Sequence, residues 1–249
     1  MRYFIELSYH GKHYHGWQKQ AKEISVQETI EKALSLLVKE DISVIGCGRT
    51  DAGVHAKQFF LHFDVEKQLD KEKLKYQLNS FLPEDIGIFR ILRVKDEAHA
   101  RFNAISRSYQ YRISLDKNVF ENDLSMYLYQ TDLNKEKMDE ASALLMDYTD
   151  FKCFSRSKTD VKTYDCAITE AYWKSDGQHL EFFITANRFL RNMVRAIVGT
   201  LLEVGKGRMT LDEFKNVIES RDREMAGASV KAKGLYLTRV IYPDSIFID

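Results

Sequence analysis

The run Gly46-Cys-Gly-Arg-Thr-Asp-Ala-Gly-Val-His55 places three glycines, a guanidinium and a carboxylate within ten residues. It follows an apolar segment, so a strand ends there and the backbone turns sharply at Asp51-Ala-Gly53, leaving short polar side chains at the end of a sheet. Arg49 and Asp51 stand two apart, close enough to pair or to share a third group. An ordinary hairpin connection carrying an ion pair has the same pattern. The run is neither a P-loop, since no Gly-Lys-Ser/Thr follows, nor a dinucleotide-binding Gly-x-Gly-x-x-Gly loop.

Two further clusters are basic. In Ala100-Arg-Phe-Asn-Ala-Ile-Ser-Arg-Ser-Tyr-Gln-Tyr-Arg112, the residues Arg101, Arg107 and Arg112 interleave with Phe102, Tyr109 and Tyr111. Cations for phosphates and aromatic faces for bases are what a nucleic-acid site requires, although the tyrosines also fit the buried face of a strand. In Asn187-Arg-Phe-Leu-Arg-Asn-Met-Val-Arg-Ala-Ile-Val-Gly-Thr200, the apolar residues Leu190, Met193, Val194, Ile197, Val198, Leu201 and Leu202 recur at helical spacing. Arg188, Arg191 and Arg195 fall on another face of that expected helix, in its first two turns. A helix N-terminus is already electropositive, so arginines there suit an incoming anion, a phosphate or a carboxylate.

His10, His13 and His15 lack the partnering Glu or Cys of a metal motif, and no metal site is expected. Gly16-Trp17-Gln18 beside them is either a ligand contact or a packed corner. Cys47, Cys153 and Cys166 form no Cys-x-x-Cys pair, which argues against a disulfide scaffold and a zinc ribbon. The pattern of a zinc nucleobase deaminase is also missing.

Positioning these residues requires strands and helices in a definite order. Residues 2–9 alternate Tyr3, Ile5, Leu7 and Tyr9 against more polar neighbours, predicting a strand with one buried face. Ser25 and Glu28 predict a capping box opening a helix with Val26, Ile30, Ala33, Leu34 and Leu37 inside. Strands are expected at 42–47, 58–65 and 88–94, with a helix over 71–82 between the last two. The order βαββαβ then returns: a strand from Tyr109 to Leu115, a helix over 134–146, strands near 166–175 and 180–187 joined at Ser175-Asp-Gly177, helices over 189–204 and 211–220, and a strand at 235–242. The expected class is therefore α+β, with two ferredoxin-like, RRM-like halves, sheets side by side and a central cleft. The expected domains are 1–102, carrying the Asp51 loop, and 103–249, carrying the arginine-rich helix.

Composition is that of an ordinary soluble globular protein. Of 249 residues, 44% are hydrophobic and 30% charged, with 15 Phe, 13 Tyr and two Trp to fill cores. Thirty-seven basic residues balance 37 acidic ones, so an RNA-binding reading needs its positive charge gathered locally. A glutamate within the first seven residues argues against a signal peptide, and no apolar run is long enough for a membrane span. A cytoplasmic location is expected.

With these motifs in hand, the sequence resembles the tRNA pseudouridine synthase A family. The resemblance rests on Gly16-Trp17-Gln18, Gly48-Arg-Thr-Asp-Ala-Gly-Val-His-Ala56, Ala100-Arg-Phe102 with Arg107-Ser-Tyr-Gln-Tyr111, Asn192-Met-Val-Arg-Ala-Ile-Val-Gly-Thr200 and Ala232-Lys-Gly-Leu-Tyr-Leu237. They run in the family's order along nearly the whole chain. The resemblance implies a homodimeric isomerase that converts uridine to pseudouridine at positions 38, 39 or 40 of the tRNA anticodon arm, without metal or organic cofactor. It implies Asp51 as the nucleophile, Tyr109 as the active-site tyrosine, Arg195 as the partner of Asp51 and Arg49 beside the flipped base. Arg188, Arg191, Arg101 and Arg107 are then expected on phosphates. Two other readings compete: a non-catalytic RNA-binding protein with tandem RRM-like domains, and a sensor of a small anion held at Arg188–Arg195.

Overall fold

A computed structural model describes residues 1–129, 131–156 and 161–248. It is a mixed α/β protein with mostly antiparallel strands. In chain order come β1 (Arg2–Tyr9), α1 (Val26–Val38), β2 (Ile45–Gly46), β3 (His55–Asp64), α2 (Lys71–Phe81) and β4 (Ile86–Val94). Then follow β5 (Ser106–Ser114), β6 (Met126–Tyr127), α3 (Lys135–Leu144), β7 (Ile168–Ser175), β8 (His179–Ala186), α4 (Met193–Gly205), α5 (Leu211–Ser220) and β9 (Leu235–Ile241). Two compact units result, Met1–Ile105 with Tyr236–Asp249, and Ser106–Leu235. The sequence-based division ran the second domain to residue 249; the contacts instead group the chain's last segment with its first.

In the first unit β1 lies between β4 and β3, antiparallel to both. The other edge of β3 is shared: β2 pairs with it antiparallel at Leu61 and His62, and β9 pairs parallel at His55 and Ala56. β1 was expected to bury one face and buries both, with Phe4 fully buried and Glu6 only 7% exposed. The reason is its central position together with a cover from the chain's end: the rings of Tyr242 and Phe247 lie 5.3 and 6.3 Å from that of Phe4. The carboxylate of Glu6 survives burial because Arg90 and Gln58 both donate to it.

The helix signals hold in large part, the capping box expected at Ser25 and Glu28 forming its Ser25 half. The Ser25 hydroxyl accepts from the Glu28 N–H at 3.2 Å and α1 buries Val26, Ile30, Ala33 and Leu34. Glu28 itself turns to Lys32 at 2.8 Å. Asp70 caps α2 through the Lys73 N–H. The strand expected at 42–47 shrinks to the two residues of β2.

The second unit orders its strands β5-β8-β7, antiparallel, with β6 parallel on β5. Its core holds Met138, Phe151, Phe154, Phe182 and Phe214, all fully buried, and Trp173, whose indole N–H donates to Ser142 at 3.1 Å. Asn134 caps α3, and Thr210 with Glu213 forms a reciprocal capping box on α5. Among the described residues no helix is long and apolar enough to cross a membrane.

One expectation about this unit is overturned. The helix read as starting at Phe189 begins at Met193, because Asn192 takes a left-handed backbone (φ 67°) and the Met193 N–H closes a short turn onto the Leu190 carbonyl. Arg188 and Arg191 thus lie in the segment before α4, and only Arg195 stands on its first turn.

Candidate active site

Asp51 opens a four-residue turn that Val54 closes, its N–H reaching the Asp51 carbonyl at 3.2 Å. Gly53 occupies the third position with φ +77°, the geometry of a type II turn and the reason a glycine stands there. The preceding loop holds the turn from several sides. The Thr50 carbonyl accepts from the Trp17 N–H at 3.2 Å, and the Gly53 N–H donates to the Tyr14 carbonyl at 3.3 Å. The Thr50 and Tyr9 hydroxyls lie 2.8 Å apart. Gly16 has φ +88°, and a Cβ there would come within 2.3 Å of the Thr50 oxygen; only glycine lets the two loops approach so closely. Trp17 is buried and stacks on Phe59 at 4.2 Å, so Gly16-Trp17 is a packed corner bracing the Asp51 turn.

On this fixed backbone Asp51 is half-buried and Arg49 exposed. His55, the first residue of β3, is buried; its Nδ1 accepts from the Gly11 N–H at 3.0 Å, and its ring stacks on Tyr236 at 4.7 Å. His10 meets the edge of that ring, while His15 pairs with Glu23. His10 and His15 therefore take separate partners.

In the second unit Tyr109 sits on β5 opposite Ile184, half-buried, with the Phe189 ring edge-on at 5.0 Å. The neighbouring Tyr111 is fully buried, its hydroxyl donating to the Lys231 carbonyl and pushed up in pKa by burial. Arg195 is half-buried and immobilised: its Nε donates to the Val230 carbonyl at 2.7 Å, and its own carbonyl accepts from the Val230 N–H. Segment 226–230 is fastened in turn by Arg223, which donates to Ala226, Gly227 and Ser229, and by Asn192, whose amide donates to Ser229 at 2.6 Å. A guanidinium held at Nε presents its remaining N–H groups in a set direction.

The other arginines differ in how firmly they are held. Arg107 donates to the Asn187 carbonyl at 2.8 Å, and Arg188 to the Thr163 carbonyl at 3.3 Å. Arg191 is exposed, its carbonyl accepting from the Arg156 N–H. Arg112 is tied to Glu181 at 2.9 Å, which explains its place in the cluster structurally. In the first unit Arg101 is exposed and lies over the Phe102 ring. Asp51, Arg49 and Arg101 thus belong to one unit, Tyr109, Arg107, Arg188, Arg191 and Arg195 to the other.

The residues that sequence reading passed over are the ones that hold others: Tyr9, Tyr14 and Thr50 around Asp51, and Ser229 and Val230 around Arg195. Their signal was faint. Tyr9 reads as one more apolar residue of an alternating strand, and Ala226-Gly-Ala-Ser229 only as a run of small residues.

A protein family described as tRNA pseudouridine synthase matches residues 7–103 and 141–243. A tRNA pseudouridine synthase A of Parabacteroides distasonis is 49% identical over 247 residues, covering 99% of this chain and 98% of that protein. One of Bacillus pumilus is 38% identical, with 97% and 99% covered. One of Clostridium acetobutylicum is 39% identical, with 96% and 98% covered. Among solved structures, a dye-decolorizing protein from V. cholerae aligns at a TM-score of 0.19 and 14% identity, a likeness too slight to bear on fold or function.

Proposed function

Since this chain belongs to the tRNA pseudouridine synthase family, an isomerase family acting on tRNA, we propose that it converts uridine to pseudouridine at one or more of positions 38, 39 and 40 of the anticodon arm, with Asp51 as the nucleophile. The observation that carries this reading is the turn at Asp51, a carboxylate on a backbone pinned by Tyr14, Trp17 and, through Thr50, Tyr9. A reacting group needs its position fixed before substrate arrives. A surface connection needs no such bracing.

The reaction breaks the bond from C1′ to N1, turns the uracil, and forms a bond from C1′ to C5. N1 gains a proton and the C5 hydrogen leaves to solvent, so atoms balance with no redox partner and no energy source. Attack at C1′, addition to C6 and departure of the base through a glycal all use the same carboxylate. In this reading Arg195 pairs with Asp51 and fixes its direction. Tyr109 stacks on the displaced uracil. An anticodon-stem uridine is paired or stacked, so it must be flipped out at a cost of a few kcal/mol, and Arg49 fills the space it leaves. Arg101, Arg107, Arg188 and Arg191 meet phosphates and read the shape of the arm. Each unit is then a ferredoxin-like half, and the enzyme works as a homodimer in the cytoplasm without metal or organic cofactor.

The test is release of tritium from tRNA carrying uridine labelled at C5. Isomerisation liberates that hydrogen and binding alone does not, so the assay separates the enzyme from a non-catalytic RNA-binding protein. Absence of release from a complete, folded sample on unmodified tRNA would overturn the proposal.

A further inference from the structure

The short turn over residues 99–103 is built more firmly than a connection requires. The His99 N–H donates to Asn103 Oδ1 at 2.6 Å, and the Asn103 N–H returns to the His99 carbonyl at 3.0 Å. His99 Nδ1 accepts from the N–H groups of Arg101 and Phe102 at 3.1 and 3.3 Å. Ala100 is bolted to the unit on both sides: its N–H donates to Nδ1 of the buried His62 at 3.1 Å, and its carbonyl accepts from the Tyr242 hydroxyl. On this fixed turn the Phe102 side chain is 73% exposed.

A lone exposed apolar side chain is ordinary. Phe102 is not alone. The His99 ring backs it with centroids 4.3 Å apart and planes 35° from parallel, and the Arg101 guanidinium carbon lies 5.6 Å from its centroid. A largely exposed aromatic ring, packed against a second ring and with a guanidinium over it, matches a nucleobase with its phosphate. A rigid turn also spares the ordering cost that a mobile aromatic would bear on binding.

We infer that Phe102 and Arg101 form a stacking platform for a base of the RNA substrate, remote from the isomerised uridine. The inference rests on the tRNA reading above and deepens it. The separation follows from the strand that carries both ends. Ala100 is fastened to His62, and His55, which directly follows the Asp51 turn, lies seven residues back along β3. At roughly 3.3 Å per residue His55 and His62 are about 23 Å apart. The platform therefore takes a nucleotide several steps from the target and contributes to affinity.

Phe102→Ala, Phe102→Leu and Phe102→Trp separate stacking from simple apolar contact, because leucine keeps bulk and loses the π-face. Binding of an unmodified tRNA transcript is measured by fluorescence anisotropy, with tritium release and native mass by light scattering in parallel. Phe120→Ala, at a phenylalanine 91% exposed on another loop, is the control. The expected result is a rise in Kd and KM of about tenfold for the alanine and leucine variants, from the usual worth of base–aromatic stacking. Tryptophan stays within about twofold of the natural protein and Phe120→Ala shows no change. Leucine matching phenylalanine, equal loss in the control, or unchanged Kd throughout would overturn the platform. A fall in native mass with Phe102→Ala would also overturn it, by assigning the ring to a second copy of the chain. If the natural protein neither binds tRNA nor releases tritium, the functional reading itself fails.

Discussion

The Tyr9 and Thr50 hydroxyls meet at 2.8 Å, joining the end of β1 to the residue beside Asp51. Tyr9 is buried against Trp17 and Phe59, so its ring is anchored and its hydroxyl marks a fixed point. Removing that hydroxyl in Tyr9→Phe costs about 1 kcal/mol, the usual net worth of one hydrogen bond. It also frees Thr50 to shift. The expected outcome is a three- to tenfold fall in kcat (about 1 kcal/mol of positioning) with KM nearly constant, read from tritium-release kinetics. A rise in KM at unchanged kcat would assign Tyr9 to binding instead.

Asp51→Asn keeps the shape of the side chain and removes its charge and nucleophilicity. Turnover should vanish while tRNA affinity stays within about twofold, since a single neutralised carboxylate changes phosphate contacts little. Pseudouridine formed by a verified pure sample would refute the nucleophile assignment.

Gly16→Ala tests the close approach of the two loops. The added methyl meets the Thr50 carbonyl at 2.3 Å, and the residue must hold φ +88°. Together these should cost about 2 kcal/mol or more, lowering the melting temperature by roughly 5 °C or beyond. Circular dichroism on heating measures it. An unchanged melting point would mean that the loops separate at no cost.

His62 predicts a pH dependence of stability. Burial, helped by the Arg2 charge, lowers its pKa from 6.5 to about 4. The unfolded chain therefore binds the proton more readily than the folded one. This contribution to stability is complete above pH 6.5, declines as pH falls toward 4, and is lost below that. Its slope in the window is at most about 1.4 kcal/mol per pH unit. Urea unfolding from pH 7 to 4.5 should show that slope reduced in His62→Gln, whose side-chain oxygen can still accept from Ala100. Identical slopes would show that His62 titrates alike in both states.

Much of the fold is legible in the sequence because local rules and tertiary demands coincide. Ser25 before Val26, Asp70 before Lys71 and Thr210 before Leu211 each cap a helix whose apolar spacing is clean. The start of α4 was misread for a specific reason: Leu190 continues the apolar period, yet Asn192 breaks the backbone. Periodicity registers side chains and is blind to φ. β1 hid its second buried face because its cover comes from Tyr242 and Phe247, at the far end of the chain. At the candidate site, glycines and charged residues stood out by type. The residues that fix them, Tyr9, Thr50 and Val230, act largely through single hydroxyls or backbone groups, and such roles leave no pattern in the sequence.

The pairing of β9 on β3 has a consequence for how the protein is made. During synthesis on the ribosome, residues 1–105 emerge first, and all of 106–235 must follow before Tyr236 and Leu237 can reach His55 and Ala56. Until then the apolar rings of Phe4 and Phe60 lack the cap that Tyr242 provides. Segment 1–105 thus carries an unsealed aromatic surface until Tyr242 has been made, and a chain broken before that residue would leave it unsealed for good.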